Sequence, residues 1–194
     1  MKPYLKPLVI LVPVLILLGY LFVSYSNKSE FSEEDVSKAQ QLAKAYETLD
    51  IAETLDWKNN KVELASSKAP VLIIHFWASW CGPCLQEFPD LLKMAKNQKG
   101  KVVVLAVSED SEEGEIKAFV KSFSEAETTP NFHIAWDKDH EFMKRWNVDK
   151  LPESFIYGPD RKMKKHVSGA VPWNSEDSQE YFKMIEADGK NKGF

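Results

Sequence analysis

The stretch "APVLIIHFWASWCGPCLQEFPDL", residues 69–91, decides the fold. It begins with a continuous apolar run of strand length, which is typical of a strand buried on both faces of a sheet. Cys81 and Cys84 follow, and they are the only two cysteines in the chain of 194 residues. A helix is predicted over residues 83–97 and is closed by Gly100. Cys81 therefore lies where a buried strand passes into a helix.

The position of Cys81 suits a nucleophile. Its sulfur should lie near unpaired backbone N–H groups and the positive end of the helix dipole, which stabilise a thiolate. Only the thiolate attacks disulfides. Cys84 lies one turn further along the same helix, close enough to attack a mixed disulfide on Cys81 and release the product. Pro83 has no N–H, and this costs little in the first turn of a helix.

Metal binding is the first alternative to a redox role for the two cysteines. A single C-x-x-C supplies two ligands, whereas a closed zinc site needs four. The chain has no second C-x-x-C. The histidines, which show no ligand spacing, are His75, His133, His140 and His166. We therefore predict no metal and no cofactor apart from the redox-active disulfide Cys81–Cys84. A purely structural cysteine pair is the second alternative.

The rest of the body alternates between strands and helices. The predicted elements, in chain order, are a hairpin at "DWKNNKVELAS", the strand and helix described above, a strand at "KVVVLAVS", a helix over 112–123, a strand at "FHIAW", a helix over 140–146, a hairpin of "ESFIY" and "KMKKHVSG", and a helix capped by Asn174 or Ser175 that reaches about Ala187. Strand–helix alternation favours parallel strands, and the closing hairpin adds antiparallel ones. The predicted fold class is α/β with a mixed sheet.

Two motifs carry a resemblance to a known family. The segment "HFWASWCGPCLQEFPDL", together with "LPESFIY" at residues 151–157, resembles the thioredoxin superfamily. Within it, the segments look like the membrane-anchored, extracytoplasmic TlpA-like thiol–disulfide oxidoreductases (redoxins), which include the cytochrome c maturation reductants. The resemblance covers roughly residues 55–187, and it is specific at the active site and diffuse elsewhere. It implies a thioredoxin-like α/β fold, with a central mixed β-sheet flanked by helices and an N-terminal transmembrane or signal helix before it.

The resemblance also implies roles for individual residues. Cys81 matches the family's nucleophile, and Cys84 matches its resolving cysteine. Pro152 matches a cis-proline that faces the disulfide, and cis bonds are essentially confined to proline. A cis bond there would turn the Leu151 backbone outward, so that it could pair with a substrate strand. An ordinary loop proline is the alternative. The aromatics that match those shaping the family's docking surface are Trp77 and Trp80.

Proton transfer is expected from two further residues. Glu87 matches a glutamate that follows the second cysteine in the family, and a carboxylate within one turn of Cys84 could relay its proton. A solvated helix charge is the alternative for Glu87. Thioredoxins have a buried aspartate six residues before the first cysteine, and this chain departs from them with His75. Imidazole titrates near neutrality, so His75 is a candidate proton relay for Cys84, with a core histidine as the alternative.

The first 28 residues carry the clearest compositional signal. An apolar run extends from Pro7 to Val23, preceded by Lys2 and Lys6. A membrane-spanning helix needs roughly 17–25 apolar residues, and the apolar region of a signal peptide usually has about 7–15. We interpret the segment as an uncleaved signal anchor, with a cleaved signal peptide as the alternative. Positive flanks stay on the cytoplasmic side, so the body would face the periplasm or its equivalent in either case.

These signals divide the chain into three parts. Residues 1–28 are the predicted signal anchor or transmembrane segment, 29–54 a juxtamembrane helix or linker, and 55–190 the thioredoxin-like domain. The formal net charge is −4, although the first 28 residues carry three lysines and no acid, so the remainder is acidic. Nucleic-acid binding needs a basic face, and we therefore expect no nucleic-acid partner.

The predicted function is that of a single-pass protein of the cytoplasmic membrane that exchanges thiols and disulfides outside the cytoplasm. Its Gly82–Pro83 dipeptide is the one found in reducing thioredoxins, which favours the reduction of disulfides in envelope proteins such as apocytochrome c. A reductant in an oxidising compartment needs a supply of electrons, so a membrane thiol reductase is the expected donor. Two alternatives stay open, a dithiol oxidase or disulfide isomerase and a non-enzymatic copper-binding chaperone.

Overall fold

The computed structural model describes residues 53–64 and 69–191. The predicted signal anchor, residues 1–28, lies outside the described residues. The predicted juxtamembrane segment, 29–54, also lies outside them, apart from its last two residues. Within the described part of the chain, no helix combines the length and the apolar character that crossing a bilayer requires.

Seven strands and five helices follow one another along the described residues. In chain order they are β1 (Glu53–Leu55), β2 (Lys61–Glu63), β3 (Val71–Trp77), α1 (Gly82–Asn97), β4 (Val102–Ser108), α2 (Glu113–Ser122), α3 (Glu125–Thr128), β5 (Phe132–Trp136), α4 (Glu141–Arg145), β6 (Glu153–Tyr157), β7 (Met163–Ser168) and α5 (Glu176–Asn191). The predicted element order is confirmed, although the first strand of the predicted hairpin, β1, directly precedes the stretch "DWKNNKVELAS" in which it was expected.

A five-stranded mixed sheet forms the centre, in the order β5-β4-β3-β6-β7. The pairs β3–β4 and β4–β5 are parallel, whereas β3–β6 and β6–β7 are antiparallel. The predicted strand–helix alternation therefore produces the parallel half, and the predicted closing hairpin produces the antiparallel half. In the β3–β6 register His75 lies opposite Ser154. The short β1–β2 hairpin forms a separate antiparallel pair.

Strand β3 is central because all seven of its residues are buried. Its side chains alternate between two apolar clusters on the two faces of the sheet. Ile73 and Trp77 join the cluster that contains residues of α1, α2 and α5. Ile74 and Phe76 join the other, which contains Val62 of β2 and Trp146, just after α4. Covering both faces is what allows an uninterrupted apolar strand to lie in the middle of the sheet.

Helix α1 begins at the cysteine pair. Cys81 is its N-cap residue, with extended backbone angles of φ −83° and ψ 104°, and Pro83 lies in the first turn. The Cys84 backbone N–H donates to Cys81 Sγ over 3.3 Å, so the sulfur atom of Cys81 is the acceptor that caps the helix. Gly100 follows the helix with φ +80°, a left-handed conformation that glycine adopts without steric cost.

Two features at the periphery differ from the sequence predictions. The one-turn helix α3 was not predicted, because four residues are too few to show a helical period. Helix α5 continues four residues past the predicted end at Ala187, while its start near Ser175 is confirmed, since Ser175 Oγ accepts from Ser178 N–H. A Cβ on Gly189 would clash with Pro159 Cγ, so glycine there permits the close approach of α5 to the β6–β7 turn.

Candidate active site around the cysteine pair

The two cysteines form a disulfide at the N-terminus of α1 and differ in exposure. Their Cα atoms lie 5.2 Å apart. Cys81 is 6% exposed, whereas Cys84 is fully buried beneath it. A partner molecule can therefore reach the sulfur of Cys81 and cannot reach that of Cys84. This difference fits the predicted order, in which Cys81 meets the partner and Cys84 acts afterwards from within.

A groove of about 500 Å³ runs beside Cys81. Trp80 forms part of its wall and is 64% exposed, an unusual situation for a large aromatic residue. Leu151 also lines the groove, as do Met143, Glu109 and His140. Sequence prediction placed Trp80 and Leu151 beside the disulfide, and the structure brings them together with Cys81.

The Leu151–Pro152 peptide bond is cis, as the resemblance implied. The side chain of Pro152 is buried, and the Pro152 carbonyl accepts a hydrogen bond from Gly169 N–H over 2.8 Å.

The prediction that Trp77 shapes the docking surface together with Trp80 is wrong. Trp77 is fully buried and packs against Phe88 and Phe119, with ring centroids 5.1 and 4.3 Å away. As a β3 residue it points into the core, so it forms no part of a docking surface.

Glu87 lies beneath the cysteine pair and is buried. Its Oε2 accepts hydrogen bonds from Val171 N–H at 2.7 Å and from Trp173 Nε1–H at 3.0 Å. Burial raises the pKa of Glu87 to about 7, and the two hydrogen bonds oppose this rise. The alternative of a solvated helix charge is wrong, because only 5% of the residue is exposed. A carboxyl group with this pKa gains and loses its proton near neutral pH.

The burial of Glu87 has a signal in the sequence that the resemblance did not require. Cys84, Glu87, Phe88 and Leu91 follow the i, i+3, i+4, i+7 spacing of one helix face, and all four are buried. A carboxylate in the middle of an apolar helix face is rarely tolerated unless polar groups meet it. The partners of Glu87 had no such signal, because Val171 and Trp173 lie more than 80 residues away in the chain.

His75 lies against the other oxygen of Glu87. Its Nε2 is 3.5 Å from Glu87 Oε1, and its Nδ1 is 2.9 Å from Ser154 Oγ. Complete burial lowers the pKa of His75 to about 3, so the imidazole is neutral at physiological pH. The contact with Glu87 is therefore not an ion pair, and at 3.5 Å it is longer than an ordinary hydrogen bond. Among the described residues, neither Nε2 nor Oε1 has a hydrogen-bond partner.

A second polar cluster fixes the loop that leads to Cys81. Asp110 Oδ1 accepts from the backbone N–H and the hydroxyl of Ser79, at 2.9 and 2.8 Å. Asp110 Oδ2 accepts from Ser108 Oγ at 2.7 Å, and the Asp110 carbonyl accepts from Trp136 Nε1–H at 2.7 Å. The loop after β3 is thus tied to the loop after β4. Sequence analysis did not single out Asp110, since it lies in an acidic stretch that is typical of a solvated loop.

Glu109, the neighbour of Asp110, forms a pair with His140 at the groove. Glu109 Oε2 is 2.7 Å from His140 Nδ1, and Glu109 is buried while His140 is about half exposed. Neither residue was a predicted site residue.

As for metal sites, residues 53–64 and 69–191 contain no group of three or more histidine, cysteine, aspartate or glutamate side chains placed to hold an ion.

Comparison with known proteins gives three consistent likenesses. The AhpC/TSA family model matches residues 38–166. The thiol-disulfide oxidoreductase ResA of Bacillus thuringiensis subsp. konkukian is 31% identical over 131 residues, which cover 67% of this chain and 72% of that protein. A protein of Chlorobium tepidum assigned as a thiol:disulfide interchange protein DsbE superposes with a TM-score of 0.59 at 26% identity, covering 72% of this chain and 94% of the other.

A further solved structure is similar in fold alone. StoA from Bacillus subtilis superposes with a TM-score of 0.54 at 20% identity, covering 68% of this chain and 96% of StoA.

Proposed function

The chain belongs to the AhpC/TSA family and is a thiol–disulfide oxidoreductase with a thioredoxin-like α/β fold, and from this premise we propose that it reduces disulfides in envelope proteins such as apocytochrome c. The resemblance to TlpA-like redoxins is confirmed. One observation carries the proposal: the outer sulfur of the Cys81–Cys84 disulfide meets a groove, while the inner sulfur is buried above a carboxyl group that titrates near neutrality.

The proposed reaction has two exchange steps. In the reduced protein the Cys81 thiolate attacks one sulfur of a substrate disulfide; the bond between the substrate sulfurs breaks, and the departing sulfur takes up a proton. Cys84 then loses its proton and attacks Cys81 Sγ, which forms the Cys81–Cys84 disulfide and releases the second substrate thiol. Two electrons pass from the protein to the substrate, and the oxidised product of this cycle is the state that the structure contains.

Glu87 is the proposed acceptor of the Cys84 proton. It lies one helical turn from Cys84 on the same buried face of α1, and its pKa of about 7 suits a group that must take up and return a proton. His75 is proposed only as a secondary proton relay, which would act on Glu87 and not on Cys84 directly. Its neutral imidazole touches Glu87 Oε1, so a relay through His75 would pass between Glu87 and Ser154 and would not start at Cys84.

Substrate docking is proposed for Trp80, Leu151 and Pro152. Trp80 and Leu151 are apolar groups beside the accessible sulfur, and an extended peptide could pair with the backbone at Leu151 while its side chains contact Trp80. An exposed aromatic residue next to a reactive sulfur is the arrangement expected of a surface that binds unfolded or extended protein segments.

The location and the electron donor rest on the sequence. We propose that residues 1–28 tether the protein to the cytoplasmic membrane as a single span, because the apolar run is long enough and the preceding lysines stay inside. The domain then lies in the periplasm or an equivalent space. That space is oxidising, so the disulfide must be re-reduced by a membrane thiol reductase, which is the proposed partner on the donor side.

Trapping tests this function in the full chain expressed in its membrane. In Cys84→Ala the second exchange cannot occur, so the mixed disulfide on Cys81 should accumulate and its partner can be identified by mass spectrometry. The matched control is Cys81→Ala, which retains one cysteine and should capture nothing. Equal capture by the two variants would contradict the assigned order of the cysteines.

The redox potential of the purified protein separates the reductase from the alternatives. A value near that of thioredoxin, about −270 mV, is expected for a reductant. A value well above it would favour the dithiol oxidase or isomerase. Tight, stoichiometric binding of Cu(I) without reduction of insulin disulfides would favour the copper-binding chaperone.

A further inference from the structure

The groove beside Cys81 contains a titratable pair that the reaction described above does not use. Glu109 follows the carboxyl end of β4, and His140 is the N-cap residue of α4. The two side chains meet at 2.7 Å between Glu109 Oε2 and His140 Nδ1, and both residues line the groove together with Cys81. A histidine and a carboxylate from separate loops thus converge in the groove that also contains Cys81.

The pair has the geometry of a histidine oriented by a carboxylate. Glu109 is almost completely buried, whereas 45% of the His140 side chain is exposed. The bond to Glu109 occupies Nδ1, and no described residue forms a hydrogen bond with Nε2, so this nitrogen is free to meet a ligand. Glu109 Oε1 also lacks a hydrogen-bond partner among the described residues. A buried carboxylate that fixes one imidazole nitrogen leaves the other as the exchanging site.

The backbone at His140 supports a functional reading. Its φ of 55° and ψ of 30° place it in the left-handed region, which non-glycine residues rarely adopt. Asp137 holds the following turn, because its Oδ2 accepts from Met143 N–H at 2.8 Å. The fold therefore maintains an unfavourable backbone conformation that brings this imidazole to Glu109 and to the groove.

The first exchange step needs an acid that the cysteine pair does not provide. When Cys81 attacks, the departing substrate sulfur leaves as a thiolate, and an alkyl thiolate is basic, with a thiol pKa of about 8.5. Glu87 lies beneath the disulfide on the buried side and serves Cys84. Two other charged residues line the groove, Asp149 and Lys150, and both are exposed. The negative charge of Asp149 cannot stabilise a thiolate.

We propose that His140, oriented by Glu109, is the general acid that protonates the first thiolate released from a substrate disulfide. The step balances as follows: the Cys81 thiolate forms a bond to one substrate sulfur, the substrate S–S bond breaks, the departing sulfur takes a proton from the His140 imidazolium, and the neutral imidazole regains a proton from water. Glu109 is a positioning residue in this scheme. The inference rests on the proposed function, since it requires that Cys81 attack disulfides.

The electrostatic surroundings are consistent with proton exchange near neutral pH. Burial raises the pKa of Glu109 to about 7, the hydrogen bond from His140 opposes this rise, and the neighbouring Asp137 adds to it. Glu109 comes from the loop after β4, whereas Asp137 and His140 come from the loop after β5. Trp136 from β5 contributes a neutral donor to Asp110, the neighbour of Glu109.

The leaving-group dependence of the rate tests the proposal. Mixed-disulfide formation is measured on the full chain carrying Cys84→Ala, so that the first step alone is observed. Two probes are compared at pH 7: bis(2-hydroxyethyl) disulfide, whose thiolate is basic, and 5,5′-dithiobis(2-nitrobenzoate), whose aromatic thiolate departs without a proton. His140→Gln should slow the reaction with the alkyl probe by roughly 10- to 100-fold and change the reaction with the aromatic probe less than about twofold.

Further variants separate the acid from a structural effect. Glu109→Gln should also slow the alkyl reaction selectively, because the imidazole loses the carboxylate that orients it. His133→Gln replaces a histidine that lines a different cleft, beside Asp56 and Trp57, and should change neither rate. Equal losses with both probes in His140→Gln, no loss with either, or a selective loss in Lys150→Gln alone would overturn the proposal. Failure of Cys84→Ala itself to react with either probe would instead overturn the proposed function.

Discussion

Trp173 Nε1 donates a hydrogen bond to Glu87 Oε2 over 3.0 Å. This contact links the segment before α5 to the buried face of α1, beneath both cysteines. Val171 N–H donates to the same oxygen, so one edge of the carboxyl group is held by the protein while the other faces His75. The proton acceptor proposed for the inner cysteine is therefore positioned by residues from a distant part of the chain.

Replacing Glu87 by glutamine should slow the second exchange step. The amide retains the shape of the side chain but cannot accept the Cys84 proton, so the mixed disulfide on Cys81 should persist longer. A loss of roughly 10- to 100-fold in the resolution rate is expected, and the inflection of that rate near pH 7 should disappear. Rapid-quench kinetics with a peptide disulfide, followed by mass spectrometry, measures both. An unchanged pH profile would show that another group takes the proton.

The same substitution should change how stability depends on pH. The folded-state pKa of Glu87 is raised from 4.5 to about 7, so its contribution to stability is fully present below pH 4.5 and is lost as pH rises through 7. Relative to Glu87→Gln, the oxidised wild-type protein should lose up to about 3 kcal/mol of unfolding free energy between pH 4.5 and pH 8. Urea denaturation at both pH values checks this, and parallel stability profiles would contradict it.

Trp173→Phe should raise the pKa of Glu87 further. The indole N–H donates one of the two hydrogen bonds that stabilise the Glu87 carboxylate. Phenylalanine removes this donor while retaining an aromatic ring. The inflection in the resolution rate should move to higher pH, and the protein should lose about 1–3 kcal/mol of stability. Trp136→Phe is the matched control, because that indole donates to the Asp110 carbonyl and should leave the inflection in place.

Trp80→Ala should weaken substrate binding without weakening the fold. The side chain is 64% exposed and contributes little to the core, so the unfolding free energy should change by less than about 1 kcal/mol. KM for a protein disulfide substrate should rise several-fold, whereas the rate with a small disulfide should stay close to that of the wild type. Met184→Ala, a substitution of an exposed apolar residue on α5, is the control. A matching rise in KM in that variant would argue against a docking role for Trp80.

Local sequence patterns predicted the elements that build the site. The apolar run of β3 and the Gly-Pro start of α1 depend on neighbouring residues, so the position of Cys81 between them could be predicted correctly. The cis bond before Pro152 was predicted only through the family resemblance. Trp77 was misplaced, because the resemblance groups it with Trp80, whereas strand alternation directs it into the core.

Contacts between distant residues could not be predicted. Glu87 meets Val171 and Trp173 only after α5 packs on the sheet, and no periodicity relates residues so far apart. Glu109 and His140 are separated by 31 residues and meet because β4 and β5 are parallel neighbours whose carboxyl ends lie side by side. Burial, which sets the pKa of both glutamates, depends on this tertiary arrangement.

The hydrogen bonds of Asp110 have a consequence for how the substrate range of the enzyme could change. They hold the loop before Trp80 in one conformation, so this side of the groove cannot move to accommodate a bulkier substrate. Asp149 and Lys150 also line the groove, and both are exposed and charged. Natural variation in substrate range should therefore accumulate at Asp149 and Lys150. The hydrogen bonds between Ser79 and Asp110 should stay constant, because every substrate depends on the same placement of the attacking sulfur.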